Sequence, residues 1–332
     1  EFAKLESRID PSAEGIRAEG YRLQIDRRKI LLTAIDSAGL FYGKQTLRQL
    51  ATAQGIPCVE VLDNPRFAYR GMHLDVSRHF FPKEQIFKIL DEMAYYKLNK
   101  FHFHLCDNGG WRIQIDKYPL LTKLGSHRME IEWLKWWDFG DKHYVPEDTP
   151  GAYGGYYTKE DIRQIVSYAA GRHIDVIPEI EFPAHSDEVF VGYPEFCCTG
   201  RPYTTGEFCV GNPATLRFAE DVLTEIMELF PSKYIHIGGD EARKVAWKSC
   251  PKCQHLAREV GGFEEVQCYM IEHLELFLAE HGRVMMGWDE ILKNSLRSSS
   301  VPISYRGQRG GIEGANRGLN VIMSPGEMIY FD

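Results

Sequence analysis

From Phe67 onward the chain alternates short β-rich runs with amphipathic stretches, and this alternation sets what it can fold into. Residues 69–76, 100–105, 174–180, 234–237, 284–288, 302–305 and 320–323 read as strands. Helical patterns fall between most of them, over 83–97, 159–170, 214–230 and around 266–280. The first carries Ile86, Ile89, Leu90 and Met93 on one face. Thr158 and Asp161 have capping-box spacing. Asn212 before Pro213 marks a helix start, with an N-cap acceptor followed by the imide at the first helical position. Repeated βα units give a parallel sheet, and seven of them predict an α/β fold of the (β/α)8 TIM-barrel type, with the eighth strand beyond Asp332 or absent. A doubly wound open sheet shares the alternation and is the alternative.

Residues 1–64 read as a partial N-terminal α/β domain, and residues 65–332 as the barrel. Strands over 21–25 and 30–34 flank Asp26-Arg27-Arg28, a hairpin signal. A helix over 38–50 comes next, with Leu40, Phe41, Leu47 and Leu50 at helical spacing. Two strands and one helix bury too little surface to stand alone, so this segment either lacks its beginning or leans on the rest of the chain. Asp63-Asn64-Pro65 punctuates the boundary.

A net charge of −8 gives no bulk attraction to nucleic acid or to an anionic membrane. No apolar run is long enough to span a bilayer, and no charged-then-apolar leader opens the chain. The eight cysteines are not the framework of a small disulfide-held scaffold, because a chain of this length does not need one. Cys250 and Cys253 form a lone CxxC with His255 nearby, short of the four ligands of a structural zinc site; no metal and no cofactor is expected. Cys198 and Cys209 flank a Gly/Pro/Thr-rich loop and could pair in an exported protein. The remaining cysteines read as buried thiols.

The segment 108–157 is long, irregular and rich in Gly and Pro, and it holds Trp111, Trp133, Trp136 and Trp137. Loops of this length are functional or disordered, and four tryptophans argue against disorder. It reads as a wall over the barrel mouth.

Barrel catalytic groups sit at the C-terminal ends of strands. There the chain presents Asp75 and Arg78, then His102, His104 and Asp107, then Glu179, Glu181 and His185. His236 and Gly238-Gly239-Asp240-Glu241 come next, then Trp288-Asp289-Glu290, then Tyr305-Arg306. The loop after the last strand holds Tyr330 and Asp332. Carboxylates accept from hydroxyls and aromatic rings cover apolar sugar faces, so the set suits carbohydrate. The Gly-rich turn with Lys or Arg that a phosphate site wants is missing. Adjacent Asp240 and Glu241 in a partly dry pocket cannot both ionise cheaply, so one is pushed towards neutrality. A neutral carboxylic acid is what protonates a glycosidic oxygen. The plainer reading is that Asp240 N-caps a helix starting near Glu241. His102 and His104 alternate on one strand and face one way. They are either hydrogen-bonded interior histidines or, with Glu181 and His185, the metal set of an amidohydrolase-type barrel.

Several ordered motifs together resemble glycoside hydrolase family 20, the β-N-acetylhexosaminidases. They are Arg70-Gly71-Met72-His73-Leu74-Asp75-Val76-Ser77-Arg78, Lys97-Leu98-Asn99 running into 101–107, Gly110-Trp111-Arg112, Pro178–His185, His236–Glu241, and Gly287-Trp288-Asp289-Glu290. The resemblance covers nearly the whole chain, including the family's small non-catalytic α/β domain. It implies exo-acting, retaining hydrolysis of terminal β-linked GlcNAc or GalNAc from a glycan or glycoconjugate. In that scheme the substrate's own acetamido oxygen attacks the anomeric carbon and forms an oxazolinium-type intermediate. Glu241 would donate the proton, and Asp240 would orient the acetamido N–H. Tyr330 would donate to the acetamido oxygen, and Trp288 would wall its pocket. Arg70 and Asp332 would bind hydroxyls, with Asp107 and His185 a supporting pair near the acid. Where the family has a Trp at the sixth strand's end, this chain has Tyr305, which changes the pocket's shape. A non-catalytic glycan-binding module on the same fold is the alternative from another class. Removal of sugars from glycans fits an exported protein. Oligomeric state is not written in the sequence.

Overall fold

The structure, a computed structural model, describes residues 4–331. Two compact units emerge: one comprises Glu1–Met72, Glu84–Phe101 and Ile165–Asp175, the other His73–Lys83, His102–Gln164 and Val176–Asp332.

The first unit holds a four-stranded sheet ordered β1-β3-β2-β4, with β1 Lys4–Ile9, β2 Tyr21–Ile25, β3 Lys29–Ala34 and β4 Val59–Asp63. β2 runs antiparallel to β3 and β4, and β1 parallel to β3. Leu23, Ile25, Ile30 and Leu32 are buried against Leu40, Phe41, Leu47 and Leu50 of α1 Ser37–Leu50. Asp36 caps α1, its Oδ1 accepting from Gly39 N at 2.7 Å. The two edge strands supply what the hairpin and helix lack. β1 escapes pattern reading because all six of its residues are exposed. β4 alternates, but its five residues are too few to stand out.

Polar contacts in this unit are specific. Lys97 Nζ donates to Asp63 Oδ2 and to Tyr21 Oη, both at 2.8 Å. Arg70 pairs with Glu19 at 2.8 Å and donates to the Lys97 and Phe67 carbonyls, each at 2.8 Å.

Seven parallel strands form one further sheet, ordered as in the chain: β5 Gly71–Asp75, β6 Lys100–His104, β12 Asp175–Phe182, β13 Tyr234–Gly238, β14 Val284–Trp288, β15 Val301–Ser304 and β16 Ile322–Met323. A doubly wound sheet would turn back at a switch point; this order never does, as in a barrel. The helices between are α2 Lys83–Tyr95, α4 Lys159–Ala170, α5 Asp187–Gly192, α6 Pro213–Leu229, α7 Val245–Ser249, α8 Pro251–Val260, α9 Phe263–Glu280 and α10 Arg309–Asn316, and α11 Gly326–Ile329 follows β16. Thr158 and Asp161 exchange reciprocal bonds at the start of α4, Asp161 N to Thr158 Oγ1 at 3.1 Å and Thr158 N to Asp161 Oδ2 at 3.0 Å. No described helix is long and apolar enough to cross a membrane.

The long segment after β6 is built, not loose. It holds the hairpin β7 Cys106–Asp107 and β8 Gly110–Trp111, helix α3 Leu120–Gly125, and a small sheet of β9 His127–Arg128, β10 Tyr144–Val145 and β11 Tyr153–Gly154. Two buried guanidinium groups tie it together through backbone carbonyls. Arg112 donates to Val76 O at 3.1 Å, Ser77 O at 2.6 Å and Gly109 O at 3.0 Å. Arg128 donates to Gly109 O at 2.8 Å and Arg78 O at 2.7 Å. Fixed carbonyl dipoles thus replace the water these cations give up. Even so, burial and then Arg128's charge pull the Arg112 pKa down to about 10.

Asn212 caps α6 as its sequence predicts, accepting from Ala214 N at 3.3 Å, and also donates to Glu195 O at 3.0 Å. Asn212→Ala should therefore destabilise the fold by about 1 kcal/mol, and Asn212→Asp should recover most of the loss because it keeps the acceptor. Urea denaturation of both variants checks this.

Candidate active site

Beyond β13 the backbone turns through Gly238 at φ +71° and Gly239 at φ +96°, then Asp240, then Glu241 at φ +49°. A Cβ on Gly238 would lie 1.9 Å from Glu181 Oε2, so the turn needs glycine for room as well as for its dihedral. Gln267 Nε2 holds the Gly239 carbonyl at 2.8 Å. No helix begins at Glu241. The next, α7, starts at Val245 behind a left-handed Lys244 with no side-chain cap, so Asp240 is not an N-cap and the plainer reading of the acidic pair falls. A glutamate held at positive φ carries a strain of order 1 kcal/mol or more.

His185 joins the pair to the neighbouring strands. Its Nε2 lies 3.4 Å from Asp240 Oδ2 and 3.4 Å from Glu241 Oε2, and its Nδ1 lies 3.3 Å from Asp107 Oδ1. Asp107 Oδ2 in turn meets Arg78 at 2.6 Å, and Arg78 reaches Asp75 at 2.5 Å. Burial works against every one of these charges, but the charges prevail: Asp107 is held well below the carboxylate range by Arg78 and His185. Asp107, Asp240 and Glu241 together raise His185 well above an ordinary histidine. Glu241 Oε2 faces this cation, and its carboxyl is lowered, first by His185.

This differs from the neutral Glu241 that the adjacent carboxylates suggest. Like-charge crowding acts elsewhere: burial and then Asp240 push Glu181 well above the usual range and Glu290 up to about 7. Oδ1 of Asp240 is buried without a hydrogen-bond partner among the described residues.

The strands β14 and β15 add the aromatic side. Trp288 Nε1 donates to Glu179 Oε1 at 2.8 Å, and its ring meets Tyr305 edge-on at 5.2 Å. Tyr305 Oη donates to Glu290 Oε1 at 3.0 Å. Buried Glu179 also sits 2.8 Å from His102 Nε2, 2.9 Å from His236 Nδ1 and 3.3 Å from His73 Nε2. Of the β6 histidines, His102 stands against Glu179 and His104 Nε2 lies 3.3 Å from Glu181 Oε1, so both face interior carboxylates, though His102 Nε2 and both ring nitrogens of His104 make no hydrogen bond among the described residues.

A cavity of about 950 Å³ opens on Glu241, His185, Asp107 and Arg78, faced by Trp133 and Trp137 of the long segment. Trp133, Trp136 and Trp137 of the wall expected from the sequence line this cavity, whereas Trp111 is buried and does not. Arg78, at the exit of β5 and marked in the sequence as a strand-end charge, lines this cavity, as does Arg243. Asp187 also lines it and is pushed up to about 6, first by burial; a lone acid at a helix start gave no signal. Tyr330 comes after α11, 42% exposed, and does not line this cavity. Asp332 lies outside the described residues.

Fold and site together define a barrel protein with a carboxylate-rich, tryptophan-walled cavity at the carboxyl ends of its strands. The chain belongs to glycosyl hydrolase family 20: residues 67–332 match that family's catalytic domain, and residues 4–64 match its domain 2. It is 41% identical to a β-hexosaminidase of Porphyromonas gingivalis, over 96% of this chain and 41% of that protein. With a β-hexosaminidase of Vibrio furnissii it shares 36% identity over 94% of this chain and 52% of that one. The crystal structure of an exo-β-N-acetylglucosaminidase from Vibrio harveyi, solved with N-acetylglucosamine, superposes with a TM-score of 0.85 at 31% identity, covering 97% of this chain and 52% of that one. The chain thus spans about half the length of the relatives it matches. Family membership removes the metal-dependent amidohydrolase reading of His102 and His104.

Gly238 and Gly318 have similar dihedrals, φ +71° and φ +75°, but a Cβ on Gly318 would meet nothing within 4 Å. Gly318→Ala should cost about 1–2 kcal/mol for the backbone alone. Gly238→Ala should cost roughly 1–3 kcal/mol more from the clash with Glu181. Equal losses in chemical denaturation would show that the turn is not packed as described.

Proposed function

We propose that this chain is the catalytic part of an exo-acting, retaining β-N-acetylhexosaminidase that removes terminal β-linked GlcNAc or GalNAc by substrate-assisted catalysis. The observation that carries the reading is the unpartnered, buried Asp240 Oδ1 beside Glu241. A buried acceptor left unsatisfied is costly, and a substrate amide N–H would satisfy it. In this role Asp240 orients the acetamido group so that its carbonyl oxygen attacks the anomeric carbon. Attack from within one molecule gains from proximity. Asp240 then stabilises the positive charge that spreads onto the amide. Glu241 gives its proton to the departing oxygen and afterwards takes one from water, and water opens the cyclic intermediate with net retention.

His185 supplies what Glu241 lacks in the free protein. Between them the two side chains hold one proton, kept mainly on the imidazole, and Glu241 receives it when sugar displaces water from its side chain, 59% exposed in the free protein. Arg78 and Asp107 hold His185 in place. Arg70 keeps the hydroxyl-binding role that the resemblance implies. Tyr305 and Trp288 form an aromatic corner, and Tyr330 and Asp332 keep the acetamido and hydroxyl roles that the resemblance implies. A non-catalytic glycan binder on this fold would need no proton donor, and the Asp240–Glu241–His185 cluster favours catalysis.

On an aryl N-acetyl-β-glucosaminide with a poor leaving group, Glu241→Gln should lower kcat by about 10²–10⁴-fold. Asp240→Asn should lower it by roughly 10²–10³-fold even with a good leaving group. Near-normal turnover in both variants would remove the assignment. The pH profile tests the shared proton. Because His185 is raised and Glu241 lowered, the pair loses its proton only as pH rises through the histidine's elevated pKa. The alkaline limb of kcat/KM should therefore lie above about 6.5, the ordinary histidine value. His185→Gln should move that limb down towards the carboxyl range; an unmoved limb would mean that the proton is not shared.

A further inference from the structure

Outside the acidic cluster, the strongest unassigned constellation is sulfur. Cys198, Cys209, Cys250 and Cys253 bring their Sγ atoms within 4.8 Å of one another. The separations are 3.7 Å for Cys198–Cys253, 3.6 Å for Cys209–Cys250 and 3.7 Å for Cys209–Cys253. Four thiolates bound tetrahedrally at about 2.3 Å would stand about 3.8 Å apart along each edge. A disulfide would need about 2.05 Å. All eight cysteines are free, so Cys198 and Cys209, which could have paired with each other, belong instead to this four-sulfur group.

We propose that these four cysteines bind one structural zinc ion. The donor set selects the metal: four soft thiolates in tetrahedral array suit zinc and disfavour magnesium or calcium. Cys209, Cys250 and Cys253 are buried, and Gly211 N donates to Cys253 Sγ at 3.4 Å, a bond that favours a thiolate. Binding is redox-neutral. Four thiols give up four protons and four sulfur–zinc bonds form, with no oxidant required.

The ligands come from two chain segments that build the cavity. Cys198 and Cys209 bracket the excursion between α5 and α6, whose ends are already pinned by a bridge between Cys197 and Phe208. Cys250 and Cys253 open α8, just after the segment that leaves Glu241. Tyr203 and Glu207 of the first segment and Arg243 and Ala246 of the second line the cavity. Glu207 Oε1 accepts from Lys244 N at 2.6 Å. Zinc would clamp these two walls beside the acid. The sequence hides the site because its CxxC has no second CxxC: the other two ligands stand 41 and 55 residues away from their sulfur partners.

The test is metal analysis of the full chain, grown with zinc and purified without chelator, by elemental mass spectrometry and native mass spectrometry. One zinc per chain is expected, released in proportion as a mercurial reagent titrates the thiols. Cobalt added after zinc removal should give intense thiolate-to-cobalt charge transfer and the visible bands of a tetrahedral ion. Cys253→Ser should lose the metal, while Cys58→Ser and Cys197→Ser, outside the cluster, should keep it. Removal of zinc from the unaltered protein should lower Tm, a readout that needs no folded variant. The proposal is overturned if the protein holds no stoichiometric metal and gives no tetrahedral cobalt spectrum, if those four cysteines prove oxidised to disulfides, if iron occupies them instead, or if Cys253→Ser retains full zinc.

Discussion

A line of alternating charges at the carboxyl ends of the strands holds the site together. Asp75 and Arg78 leave β5, Asp107 comes after β6, His185 after β12, and Asp240 and Glu241 leave β13. Because the strands lie side by side in chain order, these charges meet in the same order: Arg78 on Asp107, Asp107 on His185, His185 on the acidic pair. Each link satisfies the next in a setting where a lone buried charge would be costly. Removing one partner of such a buried pair typically costs about 3–5 kcal/mol. The site is therefore coupled: a change at Arg78 reaches Glu241 through two intervening residues. The glycine turn after β13 places the last two links, and its tight fit against Glu181 leaves the turn little freedom.

Around this line the interior holds many buried polar groups, some paired and others, such as Asp240 Oδ1 and Glu181 Oε2, without a hydrogen-bond partner among the described residues. Glu179 gathers three imidazole nitrogens and the Trp288 indole. Arg112 and Arg128 donate to backbone carbonyls and, together with buried Trp111, Ile113, Leu121 and Trp136, order the long insertion. That insertion brings Trp133 and Trp137 to the cavity that Glu241 also lines. Acids and indoles lining one cavity match the chemistry of a sugar ring: hydroxyls at its edge, C–H bonds on its faces.

Much of this is legible in the sequence. The strand and helix periodicities located the parallel strands, and the capping signals at Thr158 and Asn212 are both used. What stayed hidden has a common cause: it depends on groups far apart in the chain. β1 is exposed throughout and has no pattern to read. Adjacent acids suggest mutual repulsion, but the sequence does not show that a histidine some 55 residues earlier places a cation between them. The pairing of Arg70 with Glu19 and of Arg78 with Asp107 likewise joins groups far apart in the chain. The four cysteines could not be assembled by spacing, because two of them are joined to the CxxC only through packing.

The central claim is that the ligand's own amide, steered by Asp240, forms the bond that replaces the glycosidic one. The most direct measurement compares two aryl β-glycosides that differ only at carbon 2, one bearing an acetamido group and the other a hydroxyl, with the full chain as catalyst. The account predicts ready release of the aryl group from the first and none above background from the second. Comparable rates on both would contradict it, since the hydroxyl compound has no amide with which to attack.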